Sequence, residues 1–285
     1  METIQLEIIK KVQSIHSPFM DHVFEGITML GEEAIAILLA SFILWCLNKK
    51  QGFRLAFVLL SGLLINTSLK EVFDVKRPIG MEGVRSLRTH TATGKSFPSG
   101  HTQMVTMLFA WLSFQIKRPW FTVFSGLSIL GVALSRVYLG VHWPTDVIAS
   151  VFIGVIWVVL SMKFMPVIEN HVVKSCILIT MLSWFGAVLF YSHDYMKVLG
   201  MMTGLMVSMV VQDHYIDFEP MGTKIQKTCM FLVGILGVIV ILLTLKTLLP
   251  KSIASDTLRY GIMVFWLGAM LPAAYMRVIH KRADK

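Results

Sequence analysis

The chain has 285 residues, of which 55% are hydrophobic and only 15% are charged. This composition excludes an ordinary soluble domain and places the chain in a lipid bilayer. The net charge of +9 does not indicate a nucleic-acid partner, because the basic residues are scattered among the loops between apolar segments rather than gathered on one face.

Apolar segments follow one another along the whole chain. There are about nine, each roughly 17 to 23 residues long, which is the length a helix needs to cross a hydrocarbon core about 30 Å thick. Backbone within lipid must satisfy its own hydrogen bonds, and no segment alternates as the strands of a barrel do. The sequence therefore predicts an all-α fold, a polytopic transmembrane helical bundle. The predicted spans are residues 29–47, 53–70, 101–117, 120–141, 147–166, 175–193, 195–212, 228–249 and 258–278.

Residues 1–24 are predicted to form an amino-terminal interfacial segment. Ile4, Ile8, Val12 and Ile15 fall on one side of a helix, as in helices that lie on a membrane surface. A capping helix packed on the bundle fits the same pattern. Charged residues interrupt this segment, so no cleavable signal peptide is predicted and the first span is expected to act as the targeting signal.

The basic residues of the loops predict an orientation. Two very short loops, at 48–52 and 117–119, each carry a pair of adjacent basic residues, and short loops follow the positive-inside rule best. Their face is therefore predicted to be cytoplasmic. The amino terminus and the long loop 71–100 are then expected to face the outside of a membrane, which we predict to be a bacterial plasma membrane.

Three clusters place charged or nucleophilic side chains at the ends of apolar spans, where a helix that only packs has little reason to hold them. The clusters are Lys70 with Arg77, the run Pro98-Ser99-Gly100-His101, and Ser135-Arg136 with His142 and Asp146. Singly, each residue has an ordinary interpretation, such as a snorkelling Lys70, a helix-capping Ser99 or an interfacial His142. Together they supply three cations, a helix amino terminus, two histidines and a carboxylate, and up-down counting of the spans brings them to one membrane face.

This combination suits a phosphoryl group, whose transition state spreads negative charge over three equatorial oxygens. Lys70, Arg77 and Arg136 can neutralise that charge, and each arginine offers a planar fork that suits two phosphate oxygens. The backbone N–H groups of Ser99 and Gly100 precede a helix and can add further donors to an anion. These five residues are the candidate phosphate-binding residues.

The two histidines suit the two halves of a phosphoryl transfer. Asp146 can accept a hydrogen bond from one ring nitrogen of His142 and leave the other as a nucleophile if the next helix begins early, although the intervening Pro144 does not favour an ideal i,i+4 geometry. His101, on a separate helix, can protonate the leaving oxygen and later activate water. No clustered carboxylates or paired cysteines accompany these groups, so we expect neither a metal nor another cofactor.

The clusters resemble the three-part signature of the type 2 phosphatidic acid phosphatase (PAP2) superfamily. That signature is a lysine six residues before Arg-Pro, then Pro-Ser-Gly-His, then Ser-Arg, five residues, His, three residues and Asp, and all parts occur here in order. The resemblance covers roughly residues 25–165. It implies a phosphohistidine on His142 oriented by Asp146, acid–base catalysis by His101, and phosphate binding by the remaining residues. Those residues are Lys70, Arg77, Ser99, Gly100 and Arg136.

The resemblance also implies a division of the chain. Residues 1–24 precede a six-helix phosphatase core at 25–166, which holds all three motifs, and residues 167–285 supply additional transmembrane helices whose role is unknown. Bacterial lipid phosphatases of this kind usually have six spans, and this chain has about three more. The resulting nine-span arrangement is similar to that of glucose-6-phosphatase, a member of the same superfamily. Gly200 and Gly204 form a small-xxx-small pair that predicts helix packing.

A polar stretch after the seventh predicted span has a simpler interpretation. Its acidic residues and histidine are predicted to form a solvated loop rather than a second active site. The residues concerned are Asp213, His214, Asp217 and Glu219.

The leading hypothesis is a metal-independent phosphatase that hydrolyses a lipid phosphate or diphosphate through a phosphohistidine. Isoprenoid diphosphate, phosphatidylglycerol phosphate and phosphatidic acid all fit, and the expected partners are that lipid and the bilayer, with no nucleic acid. One alternative is a phosphatase that acts on a soluble ester such as a sugar phosphate. Only the number of spans favours it. Another is a non-catalytic phospholipid-binding or transport protein, although binding alone needs neither His101 nor His142.

Overall fold

A computed structural model describes residues 2–216 and 218–283, and every regular element in those ranges is helical. Seven helices are long and apolar enough to cross a membrane, and there is an eighth span if the bent pair Pro18–Met29 and Glu33–Leu47 counts as one. The predicted span 101–117 corresponds to the helix Gly100–Ile116, whose 17 residues lie at the short end of the spanning range. The chain is thus an all-α integral membrane protein, and the predicted count of nine spans stays approximate.

The described ranges contain twelve α-helices, and short π-helical turns extend three of them, at Ile43–Leu47, Gln212–Ile216 and Trp266–Met270. The helices are α1 Glu2–Gln13, α2 Pro18–Met29, α3 Glu33–Phe42, α4 Lys49–Phe73, α5 Gly100–Ile116, α6 Pro119–Tyr138, α7 Pro144–Asn170, α8 Val172–Leu189, α9 His193–Val211, α10 Lys224–Leu248, α11 Ile253–Phe265 and α12 Leu271–Ala283.

The chain divides into two compact units. The first unit contains the residues up to 36 together with 65–161, and the second contains 37–64 together with the residues from 162 onward. This division differs from the boundaries predicted at residues 25 and 167, which concern function and stay predictions.

The helices that frame the first unit begin where local chemistry favours a start. Ser99 caps α5, and its side-chain oxygen accepts a hydrogen bond from the backbone N–H of Thr102. Pro119 and Pro144 open α6 and α7, where a missing N–H leaves no hydrogen bond unmade. The side chain of Leu127 on α6 is 64% exposed, as expected for a helix surface that faces lipid rather than water.

Helix α1 packs on the first unit through Ile9 and through Val12, which is one member of the predicted stripe. Ile9 is fully buried in a cluster with Val137 and Trp143. Two members of the predicted stripe, Ile4 and Ile8, are exposed on the outer side. The helix is therefore packed on the bundle, and contact of its exposed isoleucines with a membrane surface stays a prediction.

The long loop between α4 and α5 is held against the ends of α6 and α7. The backbone N–H of Leu87 donates to the carbonyl of Leu139 over 2.9 Å. The indole nitrogen of Trp143 donates to the carbonyl of Lys76 over 2.8 Å. These hydrogen bonds fix the loop beside the segment that carries His142.

In the second unit, α9 packs closely on α11. A side chain at Gly200 would collide with the carbonyl oxygen of Thr257, and one at Gly204 would collide with that of Gly261. The predicted packing of this glycine pair is confirmed.

The polar stretch after α9 was predicted as a loop, but Asp213 and His214 are helical. They lie in the π-helical turn that continues α9, and both side chains are about half exposed. Asp217 lies outside the described residues. The loop therefore starts later than predicted, because the backbone completes one wider turn before it leaves the helix.

Candidate active site

The eight residues chosen from the sequence all lie in the first unit. They occupy the last turn of α4, the loop after it, the first turn of α5, the last turn of α6 and the entrance to α7. In chain order they are Lys70, Arg77, Ser99, Gly100, His101, Arg136, His142 and Asp146.

His142 and Asp146 form a buried pair. Nδ1 of His142 lies 3.2 Å from Oδ2 of Asp146, and both side chains are almost fully buried. The same carboxylate oxygen accepts a hydrogen bond of 2.9 Å from the backbone N–H of Trp143, as expected for an acidic side chain in the first turn of a helix. Because α7 starts at Pro144, this proline opens the helix and does not separate the two side chains.

Ser96 completes this pair, although the sequence analysis did not single it out. Its hydroxyl donates to Oδ2 of Asp146 over 2.5 Å and lies 3.4 Å from Nδ1 of His142. The side chain is fully buried. Ser96 is part of no cluster, so only its closeness in sequence to the Pro98-Ser99-Gly100-His101 run could have drawn attention to it.

Arg77 reaches the other side of the His142 ring. Its Nη1 lies 2.9 Å from Nε2 of His142. A guanidinium can only donate hydrogen bonds, so Nε2 is the acceptor and the ring proton sits on Nδ1, facing Asp146. The remaining donors bind backbone carbonyls and hold the guanidinium in place. Those carbonyls belong to Thr93, Gly94, Lys95 and Val141.

Arg136 and His101 carry buried nitrogen atoms that no described residue engages. Arg136 is fully buried, and its Nη1 donates to the hydroxyl of Thr28 over 3.0 Å. Its Nε and Nη2, together with Nε2 of His101, have no hydrogen-bond partner in the described part of the chain. Such groups are destabilising unless an acceptor reaches them, and the oxygen atoms of an anion are acceptors of the kind that a guanidinium binds.

Positive charge surrounds His142. Burial holds the pKa of its imidazole well below the usual range, and the charges of Arg77, Arg136 and Lys70 lower that pKa further. The imidazole is therefore neutral at ordinary pH, with an unshared electron pair on Nε2. Lys70, in the last turn of α4, is thus near enough for its charge to lower the pKa of His142.

Buried amides support the start of α5. The side-chain nitrogen of Asn66 donates to the side-chain oxygen of Gln103 over 2.8 Å and lies 3.4 Å from the carbonyl of Pro98. A side-chain carbon at Gly100 would have Asn66 as its nearest neighbour, at 3.7 Å. The side of Gly100 that a side chain would occupy is thus only loosely packed, with Asn66 in ordinary van der Waals contact.

Comparisons with known proteins identify the family. The PAP2 superfamily model matches residues 51–169, and a second model, described as the PAP2 superfamily phosphatase transmembrane extension, matches residues 196–283. A solved structure with a similar fold is the crystal structure of a transmembrane PAP2 type phosphatidylglycerolphosphate phosphatase from Bacillus subtilis, whose sequence is 26% identical to this one. The TM-score is 0.50, and the match covers 59% of this chain and 87% of that one.

Several curated relatives match the chain. A probable sphingosine-1-phosphate phosphatase of Dictyostelium discoideum is 29% identical over 53% of this chain and 40% of its own length. The putative undecaprenyl-diphosphatase YbjG of Escherichia coli is 33% identical over 40% of this chain and 57% of its own length. The undecaprenyl-diphosphatase BcrC of Bacillus subtilis is 28% identical over 58% of this chain and 86% of its own length. The chain thus spans less than two thirds of the first two relatives. The two family models, the relatives and the shared fold show that this chain belongs to the PAP2 superfamily and carries its transmembrane extension.

Proposed function

We propose that this protein is a membrane phosphatase that hydrolyses a lipid phosphate or diphosphate through a phosphohistidine on His142. The observation that carries the proposal is the state of the His142 ring. Nδ1 is paired with Asp146, Nε2 accepts a hydrogen bond from Arg77, and the positive charges of Arg136 and Lys70 act on the ring.

The first half of the reaction is attack by His142. Its Nε2 forms a bond to phosphorus while the bond from phosphorus to the leaving oxygen breaks, and the electron pair goes to that oxygen. The ring becomes positively charged as it acquires the phosphoryl group. Asp146 stabilises this charge through Nδ1, and Ser96 holds the carboxylate in position.

Two arginines bind the transferred phosphoryl group in different ways. Nε and Nη2 of Arg136 form one edge of the guanidinium, and two parallel N–H groups suit two phosphate oxygens. Arg77 already uses Nη1 on His142, so it must exchange that bond for a phosphate oxygen when the substrate binds. Its bonds to backbone carbonyls keep it in place during the exchange.

The first half of the reaction needs an acid and the second half needs a base. His101 protonates the leaving oxygen as His142 attacks, and in the second half it takes a proton from the water that attacks the phosphohistidine and restores Nε2. Lys70, Ser99 and Gly100 contribute positive charge and backbone N–H groups to the phosphate oxygens. The residues provide the positive charge that a metal ion would otherwise supply.

The proposed substrate class is a phosphorylated lipid, with isoprenoid diphosphate, phosphatidylglycerol phosphate and phosphatidic acid as candidates. The relatives named above, which act on lipid phosphates or diphosphates by name, support this class. A panel of these lipids in vesicles, with glucose 6-phosphate as the soluble comparison, tests it through phosphate release. If the protein hydrolyses glucose 6-phosphate and none of the lipids, the substrate is a soluble ester rather than a lipid. If it hydrolyses none of these compounds, a non-catalytic binding protein is favoured.

We further propose that the protein lies in a bacterial plasma membrane with its active site on the extracytoplasmic side. The paired basic residues of the two short loops support this orientation. In a variant whose three cysteines are replaced by serine, Glu82→Cys in the long loop is expected to react with an impermeant maleimide in intact cells. Arg118→Cys is expected to react only after lysis. The reverse pattern would contradict the orientation.

A further inference from the structure

A further arginine, Arg88, lies beside the acid–base side of the site and belongs to none of the three sequence clusters. Its charge acts on His101 and Arg136. Its Nη2 donates to Oε1 of Glu32 over 2.5 Å, and both side chains are about one quarter exposed or less. Its Nε is buried and meets no acceptor among the described residues.

The backbone fixes this pair next to His101. Gly31, the neighbour of Glu32 in the connection between α2 and α3, packs so closely on His101 that an added side-chain carbon would lie 2.7 Å from the His101 carbonyl oxygen. Arg88 has a left-handed backbone with φ of 50°, and the preceding residue, Leu87, is hydrogen-bonded to the end of α6. Two separate segments therefore place a positively charged side chain beside His101.

The position of Arg88 matters because the nucleophile and the leaving group lie on opposite sides of the phosphorus atom. Attack comes from His142, so the leaving oxygen departs toward His101. A phosphate monoester releases an alcohol, for which one proton from His101 is enough. A diphosphate releases a phosphate monoester, which keeps negative charge after the bridging bond breaks and which a cation stabilises.

We infer that Arg88 is a specificity-determining residue that binds the leaving phosphate of a lipid diphosphate. The inference rests on the proposed function and narrows its substrate class. In the reaction, the bond from Nε2 of His142 to the terminal phosphorus forms, the bridging P–O bond breaks, and its electron pair stays on the phosphate that remains attached to the lipid. Nε of Arg88 donates to that phosphate, while Glu32 keeps the guanidinium oriented.

The test compares farnesyl diphosphate with farnesyl monophosphate as substrates of the full-length protein in detergent micelles. Arg88→Gln is expected to lower kcat/KM for the diphosphate at least about tenfold, the size of one lost charged hydrogen bond, and to change kcat/KM for the monophosphate less than about threefold. Arg88→Lys keeps the positive charge. It is expected to lower the ratio of kcat/KM for the diphosphate to kcat/KM for the monophosphate less than Arg88→Gln does.

Arg85→Gln is the matched control. Arg85 lies in the same loop and also forms an ion pair, with Asp21 over 2.7 Å, but its partners are Asp21 and Tyr138 rather than His101. This control is expected to leave the ratio unchanged. If thermal unfolding shows that Arg88→Gln does not fold, the test uses Arg88→Lys instead. A ratio of kcat/KM for the diphosphate to kcat/KM for the monophosphate below the wild-type ratio then supports the inference.

The outcomes separate the inference from the proposed function. A wild-type protein that hydrolyses neither farnesyl substrate but does hydrolyse phosphatidylglycerol phosphate or phosphatidic acid would overturn the inference alone, and one that hydrolyses none of these lipids would overturn both. The inference alone is overturned if the wild-type protein hydrolyses both farnesyl substrates but the Arg88 substitutions leave the ratio of the two kcat/KM values unchanged. Equal losses of kcat/KM on the two substrates are such a result.

Discussion

Arg77 donates a hydrogen bond from Nη1 to Nε2 of His142 over 2.9 Å, on the side of the ring away from Asp146. One side chain thereby fixes the tautomer of the proposed nucleophile and occupies the electron pair that must attack phosphorus. Substrate binding has to move this bond from the histidine to a phosphate oxygen. The arginine that fixes the protonation state of His142 is thus the one proposed to bind the substrate.

Arg136→Met is expected to abolish activity while it raises the thermal stability of the protein. Arg136 is a buried charge with two nitrogens that meet no partner in the described ranges, and methionine fills much of the same volume without any charge. Loss of the fork should lower kcat/KM at least about a hundredfold. The measurements are phosphate release and the unfolding temperature in detergent. A variant that is both inactive and less stable would show that the arginine stabilises the folded protein through contacts of its own.

Ser96→Ala is expected to lower kcat about tenfold to a hundredfold, with little change in KM. The hydroxyl touches the Asp146 carboxylate and the His142 ring, so its loss disturbs the nucleophile rather than the bound substrate. Steady-state kinetics on one lipid substrate provide the test. Ser86→Ala in the same loop, where the serine donates only to the carbonyl of Gly140, is the matched control. A change confined to KM would argue that Ser96 acts in substrate binding.

The depressed pKa of His142 predicts a specific dependence of stability on pH. The unfolded histidine takes up a proton near its usual pKa of about 6.5, whereas the folded one resists protonation, so the unfolded state binds more protons as the pH falls. Stability is then complete above that pH and declines below it, by up to about 1.4 kcal/mol per pH unit from this residue.

His142→Asn tests this dependence, since asparagine does not titrate. Unfolding temperatures of the two proteins are measured between pH 7.5 and 5. The wild-type protein is expected to lose more stability over this range than the variant. Parallel curves would mean that His142 titrates alike in both states.

Residue spacing alone was enough to single out His142, Asp146 and Arg77, and these three side chains are in contact in the structure. Their types are rare at the ends of apolar spans, so each stands out in the sequence. Ser96 and Thr28 do not, because a serine or threonine in or near a helix is ordinary, and only the folded chain shows that it touches a catalytic candidate.

Helix α2 was missed for a related reason. Asp21 interrupts the apolar pattern of Pro18–Met29, so the first span was placed later, at 29–47. In the structure the Asp21 carboxylate accepts hydrogen bonds from Arg85 and Tyr138, which a local hydropathy pattern does not contain. Long-range partners of this kind explain why the start of the fold was harder to predict than its motifs.

The phosphohistidine can be measured directly. The protein is mixed with a lipid diphosphate labelled with ³²P on its terminal phosphate, in the presence of EDTA, and quenched with base within milliseconds. Labelled protein that is stable in base and labile in acid is expected from the wild-type chain, absent from His142→Ala, and retained in His22→Ala, whose exposed ring contacts only the carbonyl of Pro18. Equal labelling of the His142→Ala protein, or turnover by that variant at the wild-type rate, would contradict a nucleophilic His142.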